Sequence, residues 1–163
     1  MVDNFLRTSF ITASRLRSFK TNGASISDTF TPKACYREYF ESILENIAAF
    51  DGFDVYGHLD YVVRYGPTRN ENYRWTDYQD VIDEILRQLI ARGKGIEINT
   101  GGFKYGLGHP NPTEGIIRRY RELGGEIITL GADAHAPEHV GYDFEKVPGI
   151  LKDAGFAYFT VRS

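Results

Sequence analysis

The chain has 163 residues, 42% of them hydrophobic and 25% charged, with 19 Lys plus Arg against 22 Asp plus Glu. That length suits one domain, and that composition is globular, which excludes a disordered tail and a fibrous repeat. A net charge of -3 offers no basic footprint for duplex nucleic acid or an anionic membrane surface, so neither is expected as a partner.

The longest apolar runs fall short of the roughly 18 residues that a membrane span needs, and the first ten residues hold no continuous apolar stretch of the kind a secretory leader carries. Cys35 is the single cysteine, so no internal disulfide and no thiolate metal site can form, and a reducing, cytoplasmic home is expected. Any metal must then be held by His, Asp, Glu or Asn.

Residues 1–30 follow neither a helical nor a strand period and read as a poorly specified segment ahead of a domain over residues 31–163. Thr31-Pro32 supplies an N-cap and an N1 proline, and Tyr36, Phe40, Ile43, Leu44 and Ile47 line one face of a helix to about Phe50. Phe53 to Gly57 reads as a short buried strand. Thr76 and Gln79 form a capping box ahead of a second helix that stops at Gly93. Gly95 to Ile98 is the next strand, and a glycine-rich loop follows from Asn99 to His109. Asn111-Pro112 with Glu114 opens a third helix that ends at Gly124-Gly125. Ile127 to Leu130 is a third strand, Asp143 to Ala154 a helix interrupted by Pro148, and Phe156 to Val161 a fourth strand.

Strands alternating with helices of this length require right-handed crossovers, so the fold class is α/β with about four parallel strands and flanking helices, as an open sheet or a barrel. The polar clusters sit just after strands: His58 and Asp60, then Asn99, then Asp133 and His135. Strand C-termini carry the functional groups in both α/β forms. Imidazole and carboxylate are the usual ligands of borderline divalent metals, and His58, Asp133 and His135 can converge if the strand ends share a face. Each has a plainer reading, the aspartate as a turn or cap residue and each histidine as a surface or core residue. His135 and His139 have helical zinc spacing, but Pro137 between them makes a turn, so the metallopeptidase pattern is absent. The glycines from Gly101 to Gly106 match neither a Walker loop nor a dinucleotide fingerprint. Arg64, Arg69 and Lys104 could form an electropositive rim suited to a phosphate group, or could simply be solvated.

Phe53-Asp54-Val55-Tyr56-Gly57-His58-Leu59-Asp60-Tyr61 with Arg64-Tyr65, then Glu97 to Phe103, then Leu123-Gly124-Gly125 and Gly131-Ala132-Asp133-Ala134-His135 together resemble the histidinol-phosphatase branch of the PHP (polymerase and histidinol phosphatase) superfamily. The resemblance runs from about Tyr36 to Val161. It implies a distorted seven-stranded β/α barrel, of which this chain would be the C-terminal part, with up to three zinc, manganese or iron ions at its strand ends. It also implies hydrolysis of L-histidinol phosphate to histidinol in histidine biosynthesis. His58, Asp133 and His135 match family metal ligands; Asp60 becomes a group that supports a ligand or faces substrate, and Arg64 and Lys104 match positions that hold the phosphate. Asp60 and Arg64 are the candidate catalytic residues.

The family's early His-x-His pair has no counterpart, because no histidine precedes His58, and Ala132 stands where the family usually has Ser. About four strands cannot close a seven-stranded barrel, so self-association or a partner chain covering the open edge is expected. The alternatives are a non-catalytic remnant or subunit completed by a partner, or another PHP phosphoesterase.

Overall fold

Thr31 Oγ1 accepts a hydrogen bond from Ala34 N at 3.2 Å and caps helix α1, Pro32–Ala49. A computed structural model describes residues 31–66 and 68–161; the segment 1–30 lies outside the described residues. The elements that follow are β1 (Val55–Tyr56), α2 (Gln79–Ala91), β2 (Gly95–Asn99), α3 (Gly101–Lys104), α4 (Glu114–Glu122), β3 (Ile128–Gly131) and α5 (Val147–Ala154), with 3-10 turns at Tyr61–Tyr65, Trp75–Tyr78, Pro137–His139 and Phe144–Lys146. No helix among the described residues is long and apolar enough to cross a membrane.

The described residues divide into two compact units, 31–51 with 62–85 and 52–61 with 86–161. In the first, α1 buries Tyr36, Phe40, Ile43 and Ile47 as its period predicts. Tyr36 meets Tyr73 and Tyr78 edge-on at 5.5 and 6.0 Å, and Tyr73 stacks on Tyr78 at 6.0 Å. Such pairs add to the area they bury because ring edges carry partial positive charge toward ring faces. Burial, with Cys35 adding to it, pushes the Tyr36 hydroxyl up to about 12.

The second unit holds a parallel three-stranded sheet in the order β1-β2-β3. Val55 pairs with Gly95, Ile96 with Ile128 and Asn99 with Gly131, so three strand ends are brought side by side. Ile96, Ile98 and Ile128 are fully buried. Tyr120 of α4 stacks on Phe156 at 6.4 Å, and its hydroxyl donates to Ile127 O at 3.1 Å, tying the helix to the strand entrance.

Four expectations are corrected. Residues 156–161 form no strand: Phe156 is anchored on Tyr120, but Tyr158, Phe159 and Val161 are exposed, and the link to the sheet is one backbone bond, Thr160 N to Ile128 O at 2.7 Å. With no second buried side chain, the segment has nothing to fix its register. Thr76 caps nothing, because it lies inside the 3-10 turn Trp75–Tyr78 that leads into α2. Helix α4 starts at Glu114, not at Pro112, because Asn111 is held in an antiparallel bridge with Asn99. Pro148 does not interrupt α5; it sits in its first turn, where the missing N–H has no intrahelical acceptor to lose.

Candidate active site

The chemistry collects where the sheet ends. His58 and Asp133, each two residues after its strand (β1 and β3), both take left-handed backbone, with φ of +34° and +49°. For residues with a Cβ that conformation costs about 1–2 kcal/mol, which the surrounding structure must offset. The His58 ring lies against Tyr61 at 4.6 Å. Asp133 Oδ1 and His135 Nε2 stand 3.4 Å apart, the carboxylate half-buried and the imidazole exposed. Two donors bound to one zinc at ~2.0–2.1 Å and a tetrahedral angle are separated by about 3.3 Å, so this pair has the bite a metal ion takes. The set of three is not gathered: among the described residues no group of three or more His, Cys, Asp and Glu is placed to hold one ion.

Asp60 lies inside the fold beside these strand exits. It has no exposed surface, Asn111 Nδ2 donates to its Oδ1 at 2.6 Å, and Thr113 N donates to its Oδ2 at 2.9 Å. Burial raises its carboxyl above the ordinary range, opposed by nearby His109 and by these two donors. Asn111 in turn exchanges backbone hydrogen bonds with Asn99, N to O at 2.9 and 2.8 Å. The β1 exit is thereby fastened to the β2 exit through Asp60. Both oxygens of Asp60 are engaged within the protein, which suits it to hold the loop of His58.

Lys104, at the end of α3, donates from Nζ to the backbone oxygen of Asp133 at 2.9 Å and lies over the Tyr105 ring at 5.0 Å. It therefore stands at the β3 exit beside the Asp133-His135 pair. Arg64 lies in the 3-10 helix Tyr61–Tyr65, within the other compact unit, as does Arg69.

Sequence reasoning missed Glu97. Its carboxylate lies across the ends of the neighbouring strands: a Cβ on Gly131 would fall against Oε2 and 2.6 Å from Cδ, and one on Gly57 would stand 3.6 Å from Oε1. Asn99 Nδ2 donates to Glu97 Oε1 at 2.9 Å, and Asn99 Oδ1 accepts from Gly101 N at 2.9 Å. The available signal was the pair of glycines at the exits of β1 and β3, Gly57 and Gly131, since glycines beside an acidic residue on the strand between them leave room for its carboxylate.

The parallel α/β arrangement thus sets imidazole and carboxylate groups after β1 and β3, on either side of the central strand. The PHP domain family matches residues 7–101, more than half of the chain, and takes in residues 7–30 ahead of α1. The chain belongs to the PHP family. It is similar to the histidinol-phosphatase of Lactococcus lactis, 34% identical over 123 residues (74% of this chain, 44% of that protein), and to the "Probable histidinol-phosphatase" of Thermotoga maritima, 36% identical over 138 residues (82% and 54%). A crystal structure of the Lactococcus lactis histidinol phosphate phosphatase, complexed with zinc, L-histidinol and phosphate, is similar with a TM-score of 0.67 and 31% identity, over 79% of this chain and 48% of that one. The chain spans about half the length of the curated relatives it matches.

Proposed function

We propose that this chain carries part of the site of a metal-dependent phosphomonoester hydrolase, a histidinol-phosphatase that converts L-histidinol phosphate and water to L-histidinol and phosphate. The observation that carries the reading is the likeness to the Lactococcus lactis structure complexed with zinc, L-histidinol and phosphate. Asp133 and His135 would hold a divalent ion, zinc by that likeness, and His58 is the ligand candidate from the β1 exit. An ion at such a site supplies a water of lowered pKa and neutralises charge on the phosphoryl oxygens. Up to three ions belong to the same reading, by family resemblance.

The chain's own residues do the positioning. Lys104 presents an ammonium beside Asp133, where it can meet a phosphate oxygen, and Arg64 is the second phosphate candidate, with a planar fork of donors. Asp60 keeps the loop of His58 fixed to the loop after β2. Phosphoryl transfer to water needs orientation and electrostatics, so no Ser or Cys nucleophile is required. A cytoplasmic home is part of the reading and is supported by Cys35, the single cysteine, which is buried and in no disulfide.

The test is phosphate release from L-histidinol phosphate by the full chain with zinc, beside His58→Ala and His135→Ala. Turnover that both substitutions abolish supports the reading; turnover indifferent to both sinks the ligand assignment. A second reading is favoured by the absence of three gathered ligands among the described residues. In it the chain supplies part of a site that another polypeptide completes, and turnover appears only when that polypeptide is added.

A further inference from the structure

Glu97 has a place in the site and no role in the reading above. It is the third of the five residues of the central strand β2, half-buried, with its carboxylate between the glycines that precede His58 and Ala132-Asp133. Asn99 Nδ2 holds Oε1, and Asn99 is itself 3% exposed and fixed by Gly101 N. Oε2 receives no hydrogen bond among the described residues, and Glu97 forms no ion pair with any of their cationic side chains. Asp143, also little exposed, has Lys146 Nζ at 2.6 Å. Glu97 is thus a carboxylate anchored at Oε1, with Oε2 left for a donor that the described residues do not supply.

We infer that Glu97 recognises the ammonium group of the substrate, and that Asn99 positions it for that contact. The inference rests on the proposed function and goes beyond it. L-Histidinol phosphate carries its primary amine on the carbon next to the phosphate-bearing methylene, so phosphate and ammonium lie close together. A site that holds the phosphate near Lys104 and the Asp133-His135 pair needs a fixed acceptor for an N–H close by. A carboxylate is the natural one, because a charge-assisted hydrogen bond is about twice as strong as a neutral one. Selection of an amino-alcohol phosphate over a plain alkyl phosphate would then be written in β2. The two glycines leave the space that the carboxylate occupies.

The test is calorimetric binding of L-histidinol and of its desamino analogue, 3-(imidazol-4-yl)propan-1-ol, to the full chain in the presence of zinc and phosphate. The unaltered chain is expected to prefer L-histidinol by roughly 10- to 100-fold, the range a single charged hydrogen bond confers, and Glu97→Gln to bind the two alike. Gly131→Ala, which pushes the carboxylate aside without removing it, should narrow the preference as well, and it answers the question if Glu97→Gln fails to fold. Equal loss of both ligands in Glu97→Gln, or a preference that survives it, overturns the inference; equal loss with lost zinc makes Glu97 a metal ligand instead. The proposed function fails separately: an unaltered chain that binds neither ligand sinks both, whereas one that releases phosphate from L-histidinol phosphate while its Glu97→Gln variant keeps the preference sinks only the recognition role.

Discussion

Asp60 illustrates how far a motif reaches at the scale of single residues. Gly57-His58-Leu59-Asp60 is legible in the sequence as a strand exit bearing polar groups, but the burial of Asp60 is not, because its partners Asn111 and Thr113 lie 51 and 53 residues later. Asp60→Asn would turn one acceptor into a donor facing Asn111 Nδ2 or Thr113 N. It should lower the unfolding free energy by about 1–3 kcal/mol, read as a shifted urea midpoint, whether or not zinc is present. Glu97 escaped notice for a related reason: a polar residue flanked by Ile96 and Ile98 reads as the outward side of a strand, and only the pairing of β2 with β1 and β3 shows that glycines at both their exits face its carboxylate. Gly131→Ala is expected to cost less than about 1 kcal/mol in stability, since the atoms in its way are the far end of a flexible side chain, while its effect on L-histidinol binding should be large.

Elements were legible where a local signal sets the boundary and illegible where a distant partner does. Thr31-Pro32 fixed the start of α1 within a residue; the start of α4 depended on Asn99, and residues 156–161 have strand composition without a buried face. The glycines of β2 and α5 make opposite predictions from the same substitution. A Cβ on Gly95 would meet the backbone oxygen of Ile127 at 2.6 Å, so Gly95→Ala must spread β2 from β3 and should cost about 1–3 kcal/mol. Nothing stands within 4 Å of a Cβ on Gly149, in the interior of α5, so Gly149→Ala should stabilise by about 0.5–1 kcal/mol in the same urea titration. Between α1 and the start of α2, Arg37 grips Asp80 with two bonds of 3.0 and 2.9 Å, and this holds the Asp80 carboxyl below its ordinary range. A lowered carboxyl stabilises the fold above its unfolded value and ceases to do so as pH falls through the folded one. Arg37→Ala should therefore cost at most about 1 kcal/mol at neutral pH, the pair being exposed, and progressively less as pH is taken below about 4.

For the whole molecule, the α/β class with a parallel sheet was legible because alternation of periods is a property of the entire chain, and the family because its motifs recur in order. The gathering of ligands was not, since it depends on how loops from different strands meet. Zinc that binds the folded chain and not the unfolded one should raise its melting temperature by several degrees at about a hundredfold excess over the dissociation constant. His135→Ala should remove that rise in a thermal melt, and a rise that persists would place the ion elsewhere. The bond from Lys104 to the Asp133 carbonyl has a consequence for how two ligands act together. The same ammonium that can greet an anion also tethers the loop of the carboxylate proposed to hold the ion, so on that proposal an anion that draws Lys104 away must alter the hold of that loop on the ion. By linkage the ion must alter the affinity for the anion by the same factor, which makes the two reciprocal effectors across a single hydrogen bond.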